Sequence, residues 1–192
     1  AAMPHTGWDP IVAGSALVQA LQTIISRNTH PLDAGVVSVT QFHGGDTWNV
    51  IPNEIVLRGT LRSFQPEVQA LLERRIAEIC DGVAATYGCT VKSWFERRYP
   101  ATVNSVEEAE VARSVLVDLV SSDNVDTNLR PTMASEDFAF MLQAKPGCYI
   151  WIGNGEGEGG CMLHNPGYDF NDDILPLGAS YWVKLAERCL AS

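Results

Sequence analysis

Within residues 36–64 the chain twice takes up the two-residue period of a strand, and on either side the apolar residues recur at helical spacing. Such a switch of period leaves few architectures open. Asp9 before Pro10 is the pattern of an N-cap followed by proline at the first helical position. Leu17, Leu21, Ile24 and Ile25 then recur three to four apart, which predicts a helix over 10–27. After His30-Pro31, the β-branched and aromatic residues of 36–42 predict a strand, and 43–52 a turn-rich connection. Over 54–64 the residues alternate: Ile55, Leu57 and Leu61 point one way, Arg58, Thr60 and Arg62 the other. Pro66 opens a second helix whose apolar stripe is Val68, Leu72, Ile76, Ile79 and Val83, stopped at Gly88. A third strand is predicted over 89–99. The order helix, strand, strand, helix, strand is that of a ferredoxin-like α/β sandwich lacking its opening strand, which the sheet would need from upstream.

Past Pro100 the pattern changes, which places a domain boundary near residues 99–102. Ser105 with Glu108 three residues on predicts a capping box, and Val111, Val115 and Leu119 the buried side of the helix that follows. Ser135 is expected to cap a short helix carrying Phe138, Met141 and Leu142. Residues 148–152 form a continuous apolar run, the composition of a strand buried on both faces in a parallel sheet. A glycine-rich stretch over 153–160, the segment Leu163-His164-Asn165-Pro166 and a last helix over 176–190 follow.

Of the 192 residues, 46% are hydrophobic and 19% charged, enough for one sizeable core or two small ones. A formal charge of −10 argues against nucleic acid as a partner, since phosphates are bound by a basic face. No apolar run approaches the roughly 20 residues that span a bilayer, and the first residues lack the order of a signal peptide, so no membrane partner is expected. The five cysteines, Cys80, Cys89, Cys148, Cys161 and Cys189, form no C-x-x-C pair and read as reduced thiols in a cytoplasm.

Three places offer chemistry. His164 follows the apolar run, where open α/β sheets put their ligand sites, and Tyr168 and Asp169 are near enough in sequence to orient its imidazole. On spacing alone it has no second ligand, and one imidazole is not a metal site. Arg62, on the polar face of its strand, and Asn49, in the preceding turn, have the donors to clamp a carboxylate; a solvated strand face is the plain alternative. Glu136 and Asp137 stand at a helix N-terminus, where capping alone accounts for negative charge. The glycine-rich stretch has no G-K-[ST] ending and carries two glutamates, so it reads as a flexible loop rather than a phosphate cradle.

Taken in order, Ala1-Ala2-Met3-Pro4-His5, Trp48-Asn49-Val50-Ile51-Pro52, Leu57-Arg58-Gly59-Thr60-Leu61-Arg62, Ser135-Glu136-Asp137-Phe138 and Leu163-His164-Asn165-Pro166-Gly167-Tyr168-Asp169-Phe170 resemble the aminoacylase and hippurate hydrolase family of dinuclear metallopeptidases, which includes plant auxin-conjugate hydrolases. The resemblance covers essentially the whole chain. It implies that residues 1–101 are a ferredoxin-like lid and dimerisation domain, and 102–192 the C-terminal part of an α/β catalytic domain. It also implies an amidohydrolase acting on N-acyl amino acids with two divalent metal ions per subunit, whether Zn, Mn, Co or Ni. His164 matches the final metal ligand, and Asn49 and Arg62 match lid residues that hold the substrate carboxylate or the developing oxyanion. The remaining ligands and the glutamate general base lie upstream in relatives, so no catalytic base is expected here, and the chain by itself is expected to be inactive. The alternative is a non-catalytic ferredoxin-like dimerisation or binding module; an independent module of that kind has no use for the apolar run of 148–152 or the histidine segment.

Overall fold

The computed structural model describes residues 1–157 and 160–191, and shows a mixed helix and strand chain that divides into two compact units, Ala1–Ala101 and Thr102–Ser192. In the first unit, α1 (Pro10–Thr23) starts where Asp9 Oδ1 accepts from the Ile11 and Val12 N–H groups at 2.9 and 3.3 Å. It runs into a wider π turn over Ile24–Asn28, which carries Ile24 into the core at 0% exposure with Ile25 packed beside it. Strands β1 (Gly35–Gly44) and β2 (Ile55–Ser63) pair antiparallel. Helix α2 (Pro66–Tyr87) ends at Gly88, whose φ of 66° is the left-handed conformation that favours glycine.

The two helices cover one face of the hairpin. Ala13, Leu17 and Leu21 of α1 and Val68, Leu72, Ile76, Cys80 and Val83 of α2 close over Val37, with Val39, Leu57 and Leu61 at the margin. The alternation expected for β2 holds, and β1 is longer than expected and carries a bulge. Val39 pairs with Gly59 and Gln41 with Arg58, leaving Thr40 as an extra residue. The extra residue changes the parity of the inward face. Val37 and Val39 face the helices before it, and Phe42, opposite Leu57, faces them after it.

Residues 89–99 are not a third strand. They carry no ladder, and side chains anchor them: Cys89 and Val91 pack on the core, and Arg97 grips Glu73 of α2 with Nε–Oε1 and Nη2–Oε2 distances of 2.9 and 2.6 Å. Nothing among the described residues lies alongside to accept their backbone hydrogen bonds as a strand neighbour.

In the second unit, α3 (Val106–Val120) and α5 (Leu175–Leu190) pack through Ala112, Val115 and Tyr181, with Leu116, Leu119, Cys148, Ile150 and Leu185 around them. Val111, expected inside, is exposed, and Ala112 takes that place. Ser105 stands at the N-cap of α3, yet its hydroxyl accepts from the Gly147 N–H at 3.1 Å instead of from the helix, so the capping box does not form. The short α4 (Phe138–Ala144) starts after Asp137 and not at Ser135.

The apolar run of 148–152 is likewise not a strand buried on both faces. Cys148 and Ile150 are half-buried, and Trp151 is 55% exposed. In place of a ladder neighbour, the Asn104 side chain takes both backbone groups of Tyr149: Oδ1 accepts from its N–H at 2.8 Å and Nδ2 donates to its carbonyl at 2.9 Å. Ser105 N–H donates to the Gly147 carbonyl at 2.9 Å. All five cysteines are free thiols, and burial pushes the Cys80 and Cys148 thiols up, toward the protonated, unreactive form.

Candidate metal and substrate ligands

His164 occupies an unusual backbone position. Asn165 N–H donates to the Met162 carbonyl at 3.2 Å, closing a four-residue turn with His164 third, at φ 68°. A type II turn requires positive φ there and normally uses glycine or asparagine. A second turn follows at once: Tyr168 N–H donates to the Asn165 carbonyl at 3.0 Å, Asn165 Oδ1 accepts from the Gly167 N–H at 2.9 Å, and Pro166 sits at the position its fixed φ suits. The two turns present an exposed imidazole on a backbone held in a costly conformation. Tyr168 and Asp169 do not orient the ring as expected. The Tyr168 ring stands edge-on to Phe170 with centroids 5.2 Å apart, and Asp169 Oδ1 accepts from the Phe170 N–H at 2.9 Å.

Among the described residues, no group of three or more histidine, cysteine, aspartate or glutamate side chains is gathered to hold a metal ion. One exposed imidazole fits one ligand position of a dinuclear centre and cannot make the centre by itself.

The other expected ligands lie in the first unit. Asn49 is exposed in the loop that leaves β1 at Gly44 and enters β2 at Ile55, with its Oδ1 accepting from Thr47 Oγ1 at 3.1 Å. Arg62 stands at the opposite end of β2, paired with Val36, and the step from Ile55 to Arg62 covers about 23 Å of strand. The hairpin therefore places them toward its two ends. Arg62 lies on the face away from α1 and α2, as the alternation requires, but it is half-buried and its Nη1 donates to the Leu61 carbonyl at 2.9 Å.

Glu136 is more than a helix-end charge. Its Oε2 accepts from the Tyr149 hydroxyl at 2.8 Å and its Oε1 from the Phe138 N–H at 3.3 Å, and the Phe138 and Tyr149 rings lie 5.7 Å apart. The Tyr149 hydroxyl holds the Glu136 carboxyl below its ordinary range, and the same bond pushes the Tyr149 phenol up. This ties the Ser135-Glu136-Asp137-Phe138 segment to the apolar run. Asn104 and Asn154, which stitch that run and the histidine segment in place, went unnoticed in the sequence. Asn154-Gly155 is a turn dipeptide hidden in a glycine-rich stretch, of which Glu158 and Gly159 lie outside the described residues.

The hippurate hydrolase of Campylobacter jejuni subsp. jejuni is 37% identical over 187 residues, which are 97% of this chain and 48% of that protein. The N-acetyl-L-cysteine deacetylase of Bacillus subtilis is 31% identical over 193 residues, 100% of this chain and 45% of its own length. The crystal structure of the Bacillus subtilis YXEP protein, described as a dinuclear metal binding peptidase from the M20 family, superposes with a TM-score of 0.76 at 26% identity. That match covers 96% of this chain and 47% of the other. The chain thus spans about half the length of the proteins it matches. The model of peptidase family M20/M25/M40 matches residues 6–188, and the chain belongs to that family.

Proposed function

We propose that this protein serves metal-dependent hydrolysis of the amide bond of N-acyl amino acids, hippurate-like molecules among them. The observation that carries the reading is His164: an exposed imidazole on a left-handed backbone, in a chain 37% identical to a hippurate hydrolase. In this reading the first unit is a ferredoxin-like lid lacking its first strand, and the second is the C-terminal part of an α/β catalytic domain. When bound, two divalent metals supply the Lewis acidity that polarises a scissile carbonyl. His164 would contribute one imidazole ligand toward them. Arg62 and Asn49 hold the carboxylate of the amino acid and so fix the amide in place. The base that moves the proton lies outside this chain, which therefore does not turn over substrate by itself. Assembly is a homodimer through the first unit, in a reducing cytoplasm that suits the five free thiols.

Arg62→Ala in the full-length enzyme tests the recognition role. Loss of a partly desolvated guanidinium–carboxylate contact costs about 2–4 kcal/mol, read as a raised KM for N-acyl amino acids, with kcat falling as well if the contact also places the amide. An N-acyl amine lacking the carboxylate should be a poor substrate and lose little more in the variant. Equal losses on both substrates would remove Arg62 from carboxylate binding. His164→Ala should empty one metal position and abolish most of kcat; full metal content with normal turnover would remove it from the ligand set.

A further inference from the structure

The chain leaves Asn154, passes through the His164 turn, and returns at Asp169 and Asn171. Three hydrogen bonds close that excursion at its base. Asn154 Nδ2 donates to the Asp169 carbonyl at 2.7 Å, Asn154 Oδ1 accepts from the Asn171 N–H at 2.8 Å, and the Asn154 carbonyl accepts from Asn171 Nδ2 at 3.2 Å. The residues so joined are 15 and 17 apart along the chain, and both asparagines are half-buried. A carboxamide carries donor and acceptor in one plane, and here each meets a backbone group of opposite sense. Between the pinned ends, the Met162–Asn165 and Asn165–Tyr168 turns set the backbone locally. Both turns close within the His164 segment, whereas the Asn154 bonds reach across its base.

We propose that Asn154 is a positioning residue for His164, fixing the base of the excursion so that the imidazole is held at one place and angle. The proposal rests on the reading of His164 as a metal ligand. Zinc is the probe, in the intact protein. Asn154→Ala should raise the zinc dissociation constant about tenfold, the scale on which groups that orient a ligand act, and speed amide exchange over 162–171 without lowering the melting temperature. Asn154→Asp keeps the acceptor for Asn171 and loses the donor to Asp169, so its zinc affinity should fall between wild type and the alanine variant. It also carries the test if the alanine variant does not fold. Unchanged zinc affinity in Asn154→Ala, where His164→Ala lowers it, overturns the proposal, and so does a drop in melting temperature with zinc affinity intact. If His164→Ala leaves zinc binding untouched, the ligand reading itself fails. The pin is then judged by exchange over 162–171, where wild-type rates in Asn154→Ala overturn it.

Discussion

Gly59 faces Val39 at the bulge, and a Cβ placed there would lie closer to the Ser38 carbonyl oxygen than the 3.0 Å that real Cβ atoms respect, with Ser38 C and Val39 Cα at 3.1 Å. All three atoms belong to a paired backbone, so no side-chain rotation relieves the clash. The strands must part or the bulge must move. Overpacking of this kind costs about 1–3 kcal/mol, and a ladder hydrogen bond lost alongside adds about 1 kcal/mol. Gly59→Ala should therefore destabilise by about 2–4 kcal/mol. Gly82, inside α2, has nothing within 4 Å of the same added atom, so Gly82→Ala should stabilise by about 0.5–1 kcal/mol through helix propensity. The assay is urea unfolding of the chain followed by far-ultraviolet circular dichroism. At a slope of about 2 kcal/mol per molar, the Gly59→Ala midpoint should drop by about 1–2 M and the Gly82→Ala midpoint should rise. Coincident Gly59→Ala and parent midpoints would refute the close approach across the bulge.

Three further outcomes follow from the packing and charges. Leu72, at 0% exposure between the helices and the hairpin, should cost about 3–5 kcal/mol as Leu72→Ala, measured by the same unfolding curve; a loss below 1 kcal/mol would mean that the site collapses or is not core. His164→Gly should be more stable than His164→Ala by about 1 kcal/mol, because alanine inherits the left-handed backbone with its steric penalty; equal stabilities would deny the positive φ. The Arg97 guanidinium holds the Glu73 carboxyl below its ordinary value of 4.5, so Glu73 is the usual depressed carboxylate. Its stabilisation is present above pH 4.5 and is lost as pH falls through the lowered folded value. The gap in urea midpoint between wild type and Arg97→Ala should accordingly shrink between neutral pH and pH 3, and a gap independent of pH would refute the pairing.

The helices and the hairpin were legible because their signal is periodic and local. Asp9, Pro66 and Gly88 act within a turn of where they sit, and the stripe from Val68 to Val83 needs only 3.6-residue spacing to face inward. The bulge leaves a trace in the sequence, where the apolar residues Val37, Val39 and Phe42 change parity. Residues 89–99 and 148–152 were misread for a different reason. Their composition reports a demand for burial, whereas a strand is defined by a neighbour, and the backbone groups of Tyr149 found theirs in the Asn104 side chain. Ser105 failed as a capping residue because Gly147, 42 positions away, claimed its hydroxyl. At the candidate site, spacing alone gave His164 no second ligand, and its ligand role rests on the family resemblance of the segment around it. Its left-handed backbone was not legible, because the Met162–Asn165 turn has neither glycine nor asparagine at its third position to mark it, and the Asn154 hydrogen bonds were not, because they join residues 15 and 17 apart.

The bulge in β1 also shapes which sequence changes this hairpin tolerates. Thr40 is one residue more than the ladder needs: if it were deleted, Gln41 would still meet Arg58 and Phe42 would still meet Leu57, with every side chain on its present face. The same deletion in β2 would throw half of that strand out of phase. The bulged strand thus tolerates loss of a residue at position 40 while its partner, held against the Ser38 carbonyl, favours glycine at position 59.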